Sequence, residues 1–254
     1  MVTLITGASS GLGTTFARRY AADGHDLVLV ARRRDRLETL ARTLRHEHGV
    51  TVDVIVADLS AVDAAARLHE ETTRLGLHVD TLVNNAGFAT YGDLVTADPE
   101  RTAQEVRLNC VTLTELTARY LPAMVQAGTG TVVTVGSTAS FQPVPHMAVY
   151  GATKAFVLSF TQALWAELRG TGVRVLALCP GPTETEFFDA IGKDAAVGRM
   201  RSPEQVVDTA VRALRTSRPI VVDGVGNRLV AWLAPRLPRR MLVTITARLT
   251  RPTT

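Results

Sequence analysis

The chain contains 254 residues, of which 46% are apolar and 20% are charged. This length and balance are those of an ordinary globular protein, and they exclude a fibrous, disordered or disulfide-rich chain. The net charge of +4 is unevenly distributed, because residues 228–254 carry six arginines and no acidic residue. The rest of the chain is therefore slightly acidic, and the basic tail is the one compositional anomaly.

Two cysteines, Cys110 and Cys179, lie far apart in the sequence without a CxxC pair or any spacing typical of metal ligands. We therefore expect reduced thiols and no metal site. The first basic residue is Arg18, so the N-terminus lacks the pattern of a secretory signal. No apolar run reaches the roughly 18 residues of a membrane-spanning helix. These features predict a cytoplasmic protein.

Short apolar runs rich in β-branched residues alternate with longer amphipathic segments. The runs lack polar–apolar alternation, which predicts strands buried on both faces of a parallel sheet. The predicted strands are residues 2–6, 27–31, 52–56, 81–83, 131–136, 173–178 and 220–222. The predicted helices are residues 14–23, 34–48, 61–75, 101–127, 150–169 and 203–216, the last beginning with a capping box, SPEQ. This alternation predicts an α/β fold: a doubly wound, Rossmann-type parallel sheet of about seven strands with helices on both faces.

The first predicted strand runs directly into a glycine-rich turn, TGASSGLG at residues 6–13, and a helix follows. Glycine permits the tight turn and lets backbone N–H groups approach a phosphate, which the dipole of the helix N-terminus also favours. In this position the turn predicts a loop that binds the pyrophosphate of a dinucleotide cofactor. The residues expected to form it are Gly7, Ser9, Ser10, Gly11, Leu12 and Gly13.

The second predicted strand ends in the basic sequence ARRR, residues 31–34. An acid at this point would hold a ribose 2′-hydroxyl, whereas guanidinium groups bind a 2′-phosphate. Arginines at a helix start oppose the helix dipole, so a phosphate partner explains them better than a solvated helix start. We therefore expect NADP(H) to be preferred over NAD(H), with Arg32 as the first candidate ligand and Arg33 as the second.

A tyrosine and a lysine, Tyr150 and Lys154, share one face of a predicted helix. A nearby ammonium lowers the pKa of a phenol, which is ordinarily about 10. Tyr150 is therefore expected to exchange a proton with a carbonyl or alcohol oxygen. Ser137 follows the fifth predicted strand, at the sheet edge where ligands bind, and could hold the same oxygen.

These motifs occur in the order typical of short-chain dehydrogenases/reductases, and the chain resembles that family over essentially its full length. The matching elements are TGASSGLG at residues 6–13, Asp58 before Leu59, NNAG at residues 84–87, Ser137, YxxxK at Tyr150 and Lys154, and PGPTET at residues 180–185.

The resemblance implies a role for each matched position. Tyr150 would be the general acid/base, and Lys154 would bind the nicotinamide ribose and lower the tyrosine pKa. Ser137 would orient the reacting oxygen, and Asn109 would hold a water that links Lys154 to solvent. The other matched positions expected to contact the cofactor are Asp58, Leu59, Asn85, Ala86, Gly87, Pro180, Gly181, Thr183 and Thr185. The resemblance also implies a homodimer or homotetramer formed through the helices predicted at residues 101–127 and 150–169.

Residues 1–225 are expected to form one dinucleotide-binding and catalytic domain, on which a basic amphipathic extension, residues 226–254, packs. Two short helices that cover the substrate pocket or a subunit interface are the favoured interpretation of this extension. A helix on a membrane surface is a less favoured alternative. Nucleic acid is not expected as a partner, because the basic residues are confined to the extension and no recognised binding motif accompanies them.

The features together predict an NADPH-dependent oxidoreductase that reduces a carbonyl to an alcohol, or the reverse. A substrate segment is expected at residues 184–201, and an apolar or bulky substrate is predicted by its side chains and by others nearby: Phe187, Phe188, Ile191 and Met200, with Phe88, Phe141, Val144 and Met147. The alternatives are a catalytically minor protein of the same fold that senses NADP(H) or binds a membrane surface. The presence of both Tyr150 and Lys154 favours the enzyme.

Overall fold

A computed structural model describes residues 1–192 and 198–251. Its seven strands form one parallel sheet in the order β3-β2-β1-β4-β5-β6-β7. The strands are β1 (Val2–Thr6), β2 (Asp26–Ala31), β3 (Val52–Val56), β4 (Val79–Asn84), β5 (Gly130–Val135), β6 (Val173–Cys179) and β7 (Ile220–Val222). The predicted doubly wound sheet is confirmed. Its strand order reverses between β1 and β4, which is where such sheets open a ligand crevice.

Helices connect the strands and then continue beyond the sheet. They are α1 (Gly11–Ala22), α2 (Arg34–His48), α3 (Ala64–Arg74), α4 (Pro99–Val106), α5 (Leu113–Ala127), α6 (Ala148–Glu167), α7 (Glu186–Ile191), α8 (Pro203–Ala213), α9 (Val225–Leu233) and α10 (Arg239–Leu249). Within residues 1–192 and 198–251, no helix is both long enough and apolar enough to cross a membrane.

Successive residues of β1 pack against opposite helical layers. Ile5 belongs to the apolar cluster that contains Phe16 of α1, together with residues of α2 and α8. Leu4 belongs to the cluster that contains Leu116 of α5, together with residues of α3 and α6. Both strand faces are therefore buried, which explains why the strand sequences lack polar–apolar alternation.

The helix predicted over residues 101–127 is interrupted. It is α4, followed by a π-helical turn over Arg107–Thr112, followed by α5. Its start also lies earlier than predicted, because Pro99 occupies the first turn and the Asp98 side chain accepts a hydrogen bond from the N–H of Glu100 at 3.0 Å. The π turn carries Asn109, whose side chain hydrogen-bonds outside the helix. A continuous amphipathic pattern does not reveal such an insertion.

The tail, residues 226–251 of the described chain, folds back on the sheet's carboxyl edge through α9 and α10. The hydroxyl of Tyr91 donates to the carbonyl of Thr250 at 3.1 Å, and the hydroxyl of Thr250 donates to the carbonyl of Pro145 at 2.8 Å. Leu242 is buried, whereas Trp232 remains 57% exposed. The tail therefore has one face against the protein and one face toward solvent.

Candidate active site

One cleft of about 710 Å³ lies at the carboxyl edge of the sheet. Residues that follow or end six of the strands line it, so it occupies the crevice that the topology predicts. The predicted site residues that line it are Gly7, Ser9, Ser10, Gly11, Leu12, Arg32, Arg33, Asp58, Leu59, Asn85, Ala86, Gly87, Ser137, Tyr150, Lys154, Pro180, Gly181, Thr183 and Thr185. Two predicted residues, Gly13 and Asn109, pack behind this lining.

The glycine-rich turn forms a cradle of bare backbone. Gly7 and Gly11 have φ of +68° and +53°, a backbone region that residues other than glycine rarely adopt. A Cβ on Gly13 would collide with the carbonyl oxygen of Gly7. The amide of Asn85 fastens the turn to β4 by donating to the carbonyl of Thr6 at 2.8 Å. The cradle lies at the N-terminus of α1, so it fits the pyrophosphate of a dinucleotide.

Two arginines stand beside this cradle. Arg32 and Arg33 are both exposed at the cleft. The Nε of Arg33 donates to the hydroxyl of Ser9 at 3.1 Å, and a second Arg33 nitrogen pairs with Glu186 at 2.7 Å. Despite desolvation, hydrogen bonds from Ser60 and the charge of Arg32 hold the pKa of Asp58 below its usual value. Two guanidinium groups and the carboxylates of Asp58 and Glu186 therefore share this end of the cleft.

Lys154 is buried in the floor of the cleft. It is 6% exposed, and its ammonium donates to the carbonyl of Val135 at 2.7 Å. Burial lowers the pKa of Lys154 to about 8, because a charged amine loses its hydration there. The Val135 carbonyl is a partner that sequence reasoning missed, since a backbone group leaves no signal in the sequence.

Tyr150 differs from the sequence-based expectation. Burial raises the pKa of its phenol to about 12, although hydrogen bonding with the Ser137 side chain opposes that rise. The prediction that Lys154 lowers the pKa of Tyr150 is wrong for the polypeptide alone, because desolvation of the phenol raises that pKa. The Lys154 ammonium lies 5.6 Å from the centre of the Tyr150 ring and donates its hydrogen bond to the Val135 carbonyl. The phenol is therefore protonated at neutral pH.

Asn109 joins the loop after β4 to α6 by hydrogen bonds. Its Oδ1 accepts from the N–H of Phe88 at 3.2 Å, and its Nδ2 donates to the carbonyl of Phe88 at 2.9 Å and to the hydroxyl of Thr153 at 3.1 Å. These contacts use both Nδ2 hydrogens and one of the two acceptor sites of Oδ1. Its role in holding a water near Lys154 stays a prediction.

The remaining part of the cleft is aromatic and aliphatic. Phe187 contacts Tyr150 with ring centres 5.6 Å apart, and Phe188 contacts Phe187 at 5.3 Å. Phe88, Val144 and Met147 also line the cleft. Apolar side chains of the tail complete the wall: Val230, Leu233, Leu237, Leu242, Ile245 and Leu249. Their helical spacing was visible in the sequence, but their orientation toward the cleft was not.

Not every predicted substrate residue lies here. Phe141 packs against Leu158 and Cys179 in the core, and Met200 does not line the cleft. Residues 193–197 of the predicted substrate segment, and the side chain of Ile191, lie outside the described part of the chain. Arg101 was missed: its guanidinium lies over the Phe88 ring, 3.7 Å from the ring centre, and it lines the cleft.

The sequence profile of the short chain dehydrogenase family matches residues 1–196. The chain belongs to this family. It is an NAD(P)-dependent oxidoreductase that acts on alcohol and carbonyl groups. Sulfoacetaldehyde reductase 2 of Chromohalobacter salexigens is 40% identical to this dehydrogenase over 225 residues, which cover 82% of this chain and 85% of the relative.

Two solved structures are also similar to this dehydrogenase. A short-chain dehydrogenase from Sphingobium yanoikuyae in complex with NADPH is 38% identical, with a TM-score of 0.84 and coverage of 96% of this chain and 95% of that one. The bulky-bulky ketone specific alcohol dehydrogenase from Comamonas testosteroni is 34% identical, with a TM-score of 0.78 and coverage of 97% and 91%.

Proposed function

We propose that this dehydrogenase reduces a bulky, apolar ketone, with NADPH as the preferred hydride donor and Tyr150 as the general acid. One observation carries the proposal. A single cleft joins a glycine cradle flanked by Arg32 and Arg33 to the Ser137–Tyr150 pair, and then to a broad apolar wall.

The proposed chemistry uses the protonation states that burial favours. A nicotinamide cofactor bound in the cradle supplies the hydride. The Ser137 hydroxyl donates a hydrogen bond to the substrate oxygen, and Tyr150 transfers its phenolic proton to that oxygen as negative charge develops there. Because the pKa of Tyr150 is raised to about 12, the phenol carries its proton at neutral pH. An alkoxide is more basic than a phenolate, so this proton transfer is favourable in the direction of reduction.

In this proposal Lys154 stabilises the deprotonated form of Tyr150. Its ammonium is fixed by the Val135 carbonyl and lies 5.6 Å from the Tyr150 ring centre. With a pKa of about 8, the amine is mainly protonated at neutral pH. A positive charge here stabilises the phenolate that remains after the proton has left. It can also donate to the ribose hydroxyls of the cofactor.

The cofactor preference is supported by charge. Arg32 and Arg33 directly follow β2, at a place where an acidic side chain would repel a 2′-phosphate. The similar dehydrogenase from Sphingobium yanoikuyae forms a complex with NADPH. We therefore propose that the 2′-phosphate binds between the guanidinium groups.

The substrate class is supported by the wall of the cleft. Phe187, Phe188 and the tail side chains give apolar surface to the cleft that Tyr150 lines, and the Phe187 ring contacts the Tyr150 ring. A ketone with two large substituents would bury more apolar area here than a small aldehyde would. The similarity to the bulky-bulky ketone specific enzyme agrees with this choice.

The test is a substrate panel assayed by loss of reduced-nicotinamide absorbance with NADPH and with NADH. Diaryl and alkyl-aryl ketones represent the proposed class. Acetone represents small ketones, and sulfoacetaldehyde represents small anionic aldehydes. We expect kcat/KM to be highest for the bulky ketones and higher with NADPH. Highest kcat/KM for sulfoacetaldehyde would show that the proposed substrate class is wrong.

A further inference from the structure

An acidic side chain of the substrate segment occupies the cation pocket beside the cofactor cradle. Glu186, at the start of α7, pairs through Oε2 with Arg33 at 2.7 Å and through Oε1 with Arg36. Both arginines belong to the beginning of α2. Glu186 and Arg33 both line the cleft. A carboxylate is thus already bound where the sequence predicts a phosphate ligand.

The hydrogen-bond donors of Arg33 are divided between two partners. Its Nε and one terminal nitrogen donate to the hydroxyl and carbonyl of Ser9, at 3.1 and 3.3 Å, and the other terminal nitrogen donates to Glu186. Three of its five N–H groups are therefore committed, and every nitrogen already has a partner. A phosphate that pairs with one edge of the guanidinium through two parallel hydrogen bonds competes with Ser9 or Glu186 for that edge.

We propose that Glu186 is a specificity-determining residue: its carboxylate competes with the 2′-phosphate of the cofactor for Arg33, and NADPH releases it. This inference rests on the proposed binding of the 2′-phosphate at Arg32 and Arg33. NADH carries no 2′-phosphate, so its binding leaves the Glu186–Arg33 pair intact.

Charge repulsion explains why the 2′-phosphate would replace the Glu186 carboxylate at Arg33 and not bind beside it. A phosphate monoester carries close to two negative charges at neutral pH, and it repels a carboxylate that shares the same guanidinium. The Arg33–Glu186 pair is about half exposed, so its net strength is small and the phosphate can displace it. Arg36 remains available to retain the released carboxylate nearby.

Release of Glu186 from Arg33 would affect the surroundings of Tyr150 through α7. Glu186 is followed directly by Phe187, whose ring contacts Tyr150. Within the described chain, loss of the Arg33 contact would therefore leave Arg36 as the one ion-pair partner of Glu186 in the first turn of α7, the helix that forms part of the apolar wall. The side chain that discriminates the cofactors and the side chain that touches the proposed acid are adjacent in sequence.

The test compares two variants that remove the same charge from α7. Glu186→Gln removes the proposed competitor. Asp189→Asn is the matched control, because Asp189 is exposed on the same helix and forms no ion pair within the described chain. Dissociation constants for NADPH and NADH are measured by calorimetry with each protein, without substrate. Glu186→Gln should bind NADPH about three- to tenfold more tightly and NADH unchanged, whereas Asp189→Asn should change both equally and slightly.

The outcomes separate this inference from the proposed cofactor preference. If the unmodified enzyme binds both cofactors equally but Glu186→Gln gains a preference for NADPH, the competition stands and the proposed preference fails. If the unmodified enzyme prefers NADPH and Glu186→Gln leaves the ratio unchanged, the competition is wrong. Weaker NADPH binding by Glu186→Gln would also overturn it, since Glu186 would then be orienting Arg33 for the phosphate.

A second readout follows the exchange directly. Amide hydrogen exchange across residues 185–189 should become faster when NADPH binds than when NADH binds, because only NADPH breaks the Arg33 contact. Glu186→Gln should abolish this difference. Equal protection by both cofactors in the unmodified enzyme would contradict the proposal.

Discussion

The side-chain amide of Asn109 pairs with both backbone groups of Phe88. It accepts from the N–H at 3.2 Å and donates to the carbonyl at 2.9 Å, as a neighbouring strand would. Phe88, in the loop after β4, therefore gains both backbone hydrogen-bond partners from a π-helical turn. Gly87 allows the approach, because a Cβ there would lie 2.9 Å from the Asn109 Oδ1.

Replacing the buried Asn109 by alanine should destabilise the fold by on the order of 2 kcal/mol, because the half-buried backbone of Phe88 loses both partners. Urea unfolding measures this change. Val111→Ala is the control, since Val111 is on the same turn but 48% exposed and should change stability by less than about 0.5 kcal/mol. Equal effects of the two substitutions would contradict a bracing role for Asn109.

Tyr150→Phe should reduce turnover of any ketone found in the panel by a factor on the order of 10² to 10⁴, because it removes only the proposed acid. NADPH affinity should remain unchanged. Tyr120→Phe is the matched control: its hydroxyl bonds the Thr72 hydroxyl at 2.9 Å and lies outside the cleft, so turnover should persist. A Tyr150→Phe enzyme that turns over normally would refute the mechanism.

Lys154→Met should stabilise the cofactor-free protein at pH 7. Burial depresses the pKa of Lys154 from 10.5 to about 8, so holding the charged amine in the fold costs about 3 kcal/mol at pH 7. Loss of the bond to Val135 offsets part of this gain.

The pH dependence gives the sign of this effect. Between pH 8 and 10.5 the unfolded amine is protonated while the folded one is neutral, so stability of the unmodified protein rises with pH. The difference in Tm between Lys154→Met and the unmodified protein should therefore shrink across this window. A difference independent of pH would mean that packing, and not charge, controls it.

Gly13→Ala should weaken binding of both NADPH and NADH and lower Tm, because its Cβ would collide with the Gly7 carbonyl and deform the cradle. Gly226→Ala is a control on another helix, where a Cβ meets nothing within 4 Å. It should raise stability by up to about 1 kcal/mol through helix propensity. Calorimetry and thermal melts of both variants decide the comparison.

We expect a homo-oligomer formed through α5 and α6. Phe156 of α6 is 42% exposed and stacks on Phe160 with ring centres 5.9 Å apart, which leaves an aromatic surface toward solvent. Phe156→Glu should shift the mass seen by light scattering toward the monomer. Val62→Glu, an exposed substitution on neither helix, should not. A monomeric unmodified protein at micromolar concentration would refute the expectation.

Features that depend on a short local motif could be predicted from the sequence. The strands and the glycine turn follow from local patterns, and so does the helix start at Ser202, where Gln205 completes the predicted capping box. Other features depend on distant partners. The raised pKa of Tyr150, the Val135 carbonyl under Lys154 and the Glu186–Arg33 pair all arise from residues that folding brings together. The π turn escaped prediction because its helical amphipathicity continues through it.

The apolar wall of the cleft comes largely from α7, α9 and α10, which lie outside the sheet, whereas the glycine cradle and Lys154 rest on strand ends and α6. Side chains such as Leu233 and Leu242 can therefore be varied without altering the groups that hold the cofactor. Under the proposed function, α9 and α10 would affect substrate range separately from hydride chemistry, whereas α7 contacts both Arg33 and Tyr150. A library confined to the last two helices would explore new ketones while keeping the same redox machinery.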